Sequence, residues 1–359
     1  MKNSPRPTIV DVARLAGVST ATAGRALGGY GSSRPETVEK VRRAAQTLGY
    51  SSNNLARSMI TGSRGMIGVV GADIENPFFA RAMRGISDAA SERGVQTLLT
   101  NSDERVARER DALRALQQER VDGVIVAPAD ISEVQHLSEL IDQGVPLVLF
   151  DRTSEHIEAD SVVTDNVDAA RRGIERLLDS GYRRVGIVVE LTEDRFAEWF
   201  ESGADGVRAA SDLSLANPSA QRFLGFLEAH HSRSIPVDPA LVARAPAPSP
   251  ELSMRAATRL LRAQPDAIFG TDGFMSMGAY EAVGVAGLRA GEDLGFLAFD
   301  DLPWTRLVVP RVTTIAQPVH EMGARAARLL FDRIEGVVTP PRRVVVPSTY
   351  FERGTTPGR

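Results

Sequence analysis

Apolar residues in the first fifty positions follow a helical period that is twice interrupted. Ile9, Val12, Ala13 and Ala16 recur at i, i+3, i+4 and i+7 behind Thr8, whose hydroxyl can accept as an N-cap, and Gly17 ends the run. Val18 follows as a buried plug and Ser19 as a second N-cap. Ala23, Ala26 and Leu27 then mark the inner side of the next helix, which leaves Thr20, Ala21, Thr22 and Arg25 facing out. A third helix is predicted from Pro35, a favoured first-turn residue, to Leu48, with Val38, Val41, Ala45 and Leu48 inward and Gly49 closing it.

From Met66 the period changes. Short apolar runs at Ile67–Gly71, Val95–Thr100, Val121–Ala127, Val145–Phe150, Val185–Val189, Ala267–Gly270 and Leu294–Phe299 alternate with amphipathic stretches. Buried strands separated by helices predict a parallel, doubly wound sheet, and these runs are too many for one sheet of ordinary size.

At 359 residues the chain has room for two or three domains, and 43% hydrophobic with 25% charged residues is an ordinary soluble composition. No apolar run approaches the roughly 20 residues of a membrane span, and the N-terminus lacks the apolar core of a signal peptide, so a cytoplasmic protein with no membrane partner is expected. The absence of cysteine excludes disulfides, thiolate metal sites and cysteine nucleophiles. The net charge of -4 hides a division: Met1–Met66 carries ten basic residues against three acidic, and the remainder 32 against 43. A basic head on an acidic body concentrates phosphate affinity at one end and makes it salt-sensitive. Small residues at the start of a helix, with Arg25 one turn on, suit a helix whose N-terminal end enters a major groove, although a plain helical hairpin fits the pattern too.

Thr8 to Gly29, followed by RPETVEKVRRAAQTLGYSSNNLARSM from Arg34 to Met59, resembles the headpiece of the lactose/galactose repressor (LacI-type) family of bacterial transcription regulators. The likeness continues through IGVVGADIENPFF, VDGVIVAP, VPLVLFDR, GTDGFMSMGA, FDD and TTIAQPVHEMG, in order, across nearly the whole chain. The resemblance implies a small all-α helix-turn-helix headpiece (1–52), a hinge helix and linker (53–65), and an α/β core of two doubly wound parallel-sheet lobes like periplasmic sugar-binding proteins (66–359). It places the N-lobe at about 66–164 and 292–317 and the C-lobe at about 165–291 and 318–354, with crossovers near Val163–Asp165, Ala290–Asp293 and Ala316–Pro318. In the headpiece it points to Thr8, Ser19, Thr20, Ala21, Thr22, Arg25, Arg34 and Tyr50 as DNA contacts, Tyr50 being equally readable as a core residue. In the hinge it points to Asn53, Leu55, Ala56, Arg57 and Met59, with Met59 standing where the family usually carries a leucine wedge for the minor groove. A helix so short is marginal alone, so DNA and a second copy would have to stabilise it.

In open α/β sheets ligands lie beyond the C-terminal strand ends. Asp73, Asn76, Phe78 and Phe79 follow the first apolar run of the core; Asp151 and Arg152, Thr271 and Asp272, Asp300 and Asp301, and Gln317 follow later ones, and Arg222 opens a helix. Carboxylates, guanidinium forks and an amide around aromatic faces suit a neutral polyol, because charged groups bind hydroxyls strongly and rings cover the apolar C–H face. Similarity to sugar-binding members implies cleft positions for Asn76, Phe78, Phe79, Asp151, Arg152, Arg222, Asp272, Asp300 and Gln317; Asp73 and Trp304 are added as candidates from their places in the chain. Asp73, Asp272 and Asp301 serve equally as helix caps, and Phe78 as core. Phe196, Trp199 and Phe200, in a segment longer than the family pattern, read either as a lid or as packing on their own lobe. His230 and His231 are expected on a helix surface.

No P-loop, G-x-G-x-x-G, G-x-S-x-G or H-E-x-x-H occurs, so no cofactor, metal ligand or catalytic residue is assigned and no enzyme is expected. The expected protein is a homodimeric, effector-responsive transcription factor, a repressor on a near-palindromic double-stranded operator. The alternatives are a purine- or phosphosugar-sensing regulator of the same family, or a sugar-binding module without DNA function. With no heptad run in Arg353–Arg359, no tetramerising tail is expected.

Overall fold

The computed structural model describes residues 7–28, 34–50, 64–191 and 217–359. The headpiece holds α1 (Ile9–Ala16), α2 (Thr20–Gly28) and α3 (Pro35–Leu48). At its start Thr8 is the N-cap and forms a capping box with Asp11, whose carboxylate accepts from the Thr8 N–H and hydroxyl at 2.9 and 2.7 Å. Ser19 behaves as expected, accepting from the Thr22 N–H at 3.2 Å. α1 and α3 end on Gly17 (φ +67°) and Gly49 (φ +62°), left-handed positions that glycine adopts without steric cost. Val12, Ala13, Ala23, Ala26, Val41, Ala44 and Ala45 form the core, with Val18, Val38, Leu48 and Tyr50 packed around it.

The remainder forms a compact unit of its own, with strands β1 (Met66–Gly71), β2 (Gln96–Asn101), β3 (Val124–Val126), β4 (Leu147–Phe150), β5 (Asp160–Thr164), β6 (Val185–Glu190), β7 (Val242–Ala245), β8 (Ala267–Gly270), β9 (Gly295–Phe299), β10 (Thr313–Ala316), β11 (Arg343–Val346) and β12 (Thr349–Phe351). Its helices are α4 (Pro77–Glu92), α5 (Val106–Gln118), α6 (Gln135–Asp142), α7 (Asn166–Asp179), α8 (Pro218–Ser232), α9 (Pro250–Leu260), α10 (Gly273–Val285) and α11 (Val319–Ile334). Two six-stranded sheets result, in the orders β11-β5-β4-β3-β1-β2 and β12-β10-β9-β8-β6-β7. The same order, met twice, marks two lobes of one design. β12 is antiparallel to β10, closing the edge of the second sheet.

The expected division of the lobes needs correction. β9 pairs with β8 and β10 with β9 in the second sheet, so 292–317 belongs to the C-lobe; α11 packs on α4 and β11 pairs with β5, so 318–346 belongs to the N-lobe. The chain crosses between lobes after β5 (164–166), after β10 (317–318) and between β11 and β12 (347–348). Ala290–Asp293 is instead a tight turn, fixed by Arg289 N–H to Asp293 at 2.8 Å, that delivers the chain from α10 directly into β9.

Close helix contact holds the N-lobe together. A Cβ on Gly85 of α4 would lie 2.0 Å from the His320 carbonyl oxygen, and one on Gly323 of α11 would lie 2.2 Å from that of Ala82. At the lobe's edge the buried Asp160 carboxylate accepts from Arg333 (both bonds 2.9 Å), from the Arg342 side chain (3.1 Å) and from the Arg342 N–H (2.7 Å). His230 does not lie on a surface: it is 3% exposed, with its ring centroid 4.2 Å from that of Phe226, and only His231 faces solvent. Among the described residues no helix is long and apolar enough to cross a membrane.

Candidate ligand cleft and nucleic-acid interface

Side chains at the C-terminal ends of the strands of both sheets line a cleft of about 60 Å³ between the lobes. The N-lobe contributes Asp73, Asn76, Phe78, Phe79, Glu104, Asp151 and Arg152, and the C-lobe Glu190, Arg222, Asp272, Asp300 and Gln317, with Asn217, Pro218, Ser219 and Pro248 at its wall.

Asp151 and Asp300 occupy matching places, directly after β4 and β9. Each has left-handed backbone (φ +65° and +74°), and each N–H bonds the neighbouring strand, to Val162 O and Ile315 O, both at 2.8 Å. Positive φ on a residue with a Cβ costs free energy, and such positions gather at functional sites. Here the turn aims a buried carboxylate from each lobe into the cleft. Burial raises the Asp151 carboxyl to about 6 against the pull of Arg152 and Arg222. Burial likewise raises Asp300, opposed by Arg222 and by Gln317, whose amide donates to it at 2.7 Å. Among the described residues the Gln317 Oε1 has no hydrogen-bond partner, although it is buried.

Arg222, 3% exposed, donates through Nε to Asn166 (2.8 Å) and through Nη1 to the Thr271 carbonyl (2.7 Å), and stacks 3.8 Å over the Phe299 ring. Burial lowers its affinity for the proton, while Asp300, Asp151, Asp272 and Glu190 act in the opposite direction. Arg152 makes a two-pronged pair with Glu104 (2.6 and 2.7 Å) and donates to Pro128 O (2.9 Å); burial opposes its charge, and Glu104 more than restores it.

Several positions carry the cap role weighed against a ligand role. Asp272 accepts from the N–H groups of Phe274 and Met275, both at 2.9 Å, while lining the cleft. Asn76 caps α4 through the Phe78 N–H (3.0 Å), and Asp73 accepts from the Glu75 N–H (2.9 Å). Asp301 pairs with Arg353 at 2.6 Å and does not line the cleft. Phe78 belongs to the N-lobe core and to the cleft wall at once. Trp304 is a correction: the 3-10 turn Pro303–Arg306 folds it back onto the C-lobe core, 5.2 Å from the Tyr280 ring, away from the cleft. Glu104 and Glu190 went unassigned in the sequence. Glu190 is the last residue of β6, so the strand-end rule that found Asp151 finds it too; Glu104 lies three residues past β2, beyond the Val95–Thr100 run, where the same rule applies.

On the headpiece Thr20, Ala21 and Arg25 are exposed at the start of α2 and Thr22 is half-buried, its hydroxyl 2.8 Å from Ser19 Oγ and 3.3 Å from Arg25 Nη2. Arg34 is exposed before α3, and Tyr50 is half-buried against the headpiece core. Asn53, Leu55, Ala56, Arg57 and Met59, and Phe196, Trp199 and Phe200, lie outside the described residues.

Residues 8–53 match the model of bacterial regulatory proteins of the lacI family, and residues 174–356 that of the periplasmic binding protein-like domain. The chain is 32% identical over 354 residues to the ribose operon repressor of Halalkalibacterium halodurans, covering 98% of this chain and 97% of that one. Among solved structures, the transcriptional regulator CelR in complex with cellobiose is 28% identical, with a TM-score of 0.68 over 98% of this chain and 100% of that one. A Lac repressor dimer bound to operator, 22% identical, shares the fold with a TM-score of 0.80 over 98% of this chain and 99% of that one.

Proposed function

Because the chain belongs to the LacI family of bacterial regulatory proteins, and is therefore a DNA-binding transcription regulator, we propose that it is a homodimeric repressor whose grip on a near-palindromic operator is set by a sugar or polyol held between its lobes. The observation that carries this reading is the cleft itself. Asp151, Arg222, Asp300 and Gln317, each less than a tenth exposed, converge on it from both lobes beside the Phe78 and Phe79 rings. Such groups hold hydroxyls by charge-assisted hydrogen bonds while rings cover C–H faces. A relative named for the ribose operon and a neighbour solved with cellobiose support the same ligand class. A phosphate or carboxylate ligand is disfavoured by carboxylates that outnumber guanidiniums three to one along the wall.

In this reading Thr20, Ala21, Thr22 and Arg25 read base edges in the major groove, with Ser19, Thr8, Arg34 and Tyr50 toward the backbone, and two copies contact half-sites about one helical turn apart. The three chain crossings are the hinges about which the lobes reorient. A ligand that prefers one arrangement shifts operator affinity by its difference in affinity for the two. The carboxylates bind the ligand and do not turn it over, and the protein works in the cytoplasm, beside the chromosome.

Fluorescence anisotropy on duplexes selected from a random pool tests the reading. Expected is tight, salt-sensitive binding of one sequence class by two chains per duplex, altered by a member of a sugar and polyol panel. Binding that ignores sequence, or an operator complex that no panel member alters, would refute it.

A further inference from the structure

The charges lining the cleft do not balance. Six carboxylates face it and two guanidiniums. Arg152 is already paired with Glu104, and Arg222 is fixed by Asn166 and Thr271. Asp272 and Asp300 are partly satisfied by backbone N–H groups. The Glu190 side chain has no hydrogen bond or ion pair among the described residues, and the strongest charge acting on it is another carboxylate, that of Asp272, with Glu104 adding to it and Arg152 and Arg222 opposing. A further group points to an occupant: Gln317 Oε1, in a residue 7% exposed, is buried without a hydrogen-bond partner among the described residues and lines the same space, as does the Asp151 carboxylate, 6% exposed.

Burial first, and then Asp272, raise the Glu190 carboxyl to about 7, which shows how poorly its surroundings compensate its charge. Glu190 is half-buried, and an ionised carboxylate partly withdrawn from water without a partner is destabilised, a cost that a cation brought by the ligand removes. A neutral hydroxyl satisfies a lone pair and leaves the charge uncompensated.

We propose that the effector is a basic sugar, a polyhydroxylated ligand bearing a protonated amine, and that Glu190, with Asp272 and Glu104 nearby, forms the subsite for the ammonium while Asp151, Arg222, Asp300 and Gln317 hold the hydroxyls. The inference rests on the reading of the cleft as a sugar-class effector site. Glu190 is the specificity-determining residue: it stands at the last position of a strand, and it supplies the charge that distinguishes an amine from the hydroxyl it replaces.

Matched pairs test it by isothermal titration calorimetry on the full-length protein at pH 7: D-glucosamine against D-glucose, D-galactosamine against D-galactose, and the disaccharide of glucosamine against cellobiose. Expected is that the amine of at least one pair binds tenfold or more tightly than its hydroxyl counterpart, with a preference that shrinks as salt is raised. Glu190→Gln, checked for an unchanged melting temperature or a small rise, should bring that ratio near one and leave the hydroxyl counterpart within about twofold. If the hydroxyl member of every binding pair is held as tightly or more tightly, or if Glu190→Gln leaves the amine preference intact, the amine subsite is overturned and the sugar-class reading stands. Failure of every member to bind overturns both.

Discussion

Arg222 is the only guanidinium among the described cleft residues whose hydrogen bonds all go to uncharged acceptors, so its removal is the most informative perturbation of the cleft. Arg222→Met keeps an unbranched apolar stem beside Phe299 and deletes the charge. Two hydrogen bonds from a charged donor, each worth about 1.5–3 kcal/mol, are lost. A desolvated cation–π contact worth about 2 kcal/mol goes with them. The methionine restores part of the packing, and stripping one member from a buried charge cluster costs about 3–5 kcal/mol in sum. In a lobe of this size each kcal/mol moves the midpoint by about 2–4 °C, so a fall of roughly 6–20 °C is expected at neutral pH. The deficit must depend on pH. Arg222 holds down the carboxyls of Asp151, Asp272, Asp300 and Glu190; without it they rise further, and the native state binds more protons than the unfolded chain over a wider range. Stability of the variant relative to the parent therefore worsens as pH rises from about 5 to 7.5. Calorimetric melting of both proteins at those two pH values checks this; a loss below about 1 kcal/mol, or an equal loss at both, would refute the assignment of Arg222 as the counter-charge of the cleft.

The same sign applies to the unliganded parent. Asp151 and Glu190 titrate near 6 and 7 in the folded state, above their unfolded values, so the stabilising proton uptake is lost as pH climbs through those values, and chemical unfolding should show a core less stable at pH 7.5 than at pH 5.5. Asp160 runs the other way. Although burial opposes it, Arg333 and Arg342 hold its carboxyl below the usual range, so its contribution is present above the unfolded pKa and lost in acid. Asp160→Ala should cost about 3–5 kcal/mol at pH 7 with ligand affinity unchanged, and a stable variant would show that the two arginines are equally content with solvent. Arg25→Ala should cost about 1–3 kcal/mol at the operator and relax base preference at one position, as for a bidentate guanine contact; a uniform loss across sequences in the same selection would confine Arg25 to phosphate.

Much of this was readable from the chain because local signals and tertiary structure agree. Gly17 and Gly49 stop helices where left-handed backbone is required, and Ala23 and Val41 fall on the buried side that their period assigns. The strand-end rule located Asp151, Asp300 and Gln317 because parallel sheets expose those ends to a common cleft. Lobe membership was misplaced because strand pairing is non-local: nothing in the residues of β9, β10 or β11 states which sheet receives their hydrogen bonds. β5, β7, β11 and β12 are short, and among them Asp160–Thr164 carries polar residues that hide a buried strand. Trp304 failed for a related reason, since position past a strand end does not fix direction, and the turn at Pro303 sends the indole to the core. Glu190 was missed as chemistry because its meaning depends on the absence of a cation beside it, which only the assembled cleft displays.

The central claim is that occupancy of the cleft changes the grip on DNA. The most direct test is anisotropy of a labelled operator duplex, selected from a random pool, titrated with full-length protein at fixed salt, with and without the tightest-binding sugar of the calorimetric pairs. Two chains per duplex are expected, with a shift in Kd of about 5- to 150-fold, the range of a coupling of about 1–3 kcal/mol, that vanishes in Asp300→Asn. An unchanged Kd at a ligand concentration that calorimetry shows to saturate the cleft would contradict it.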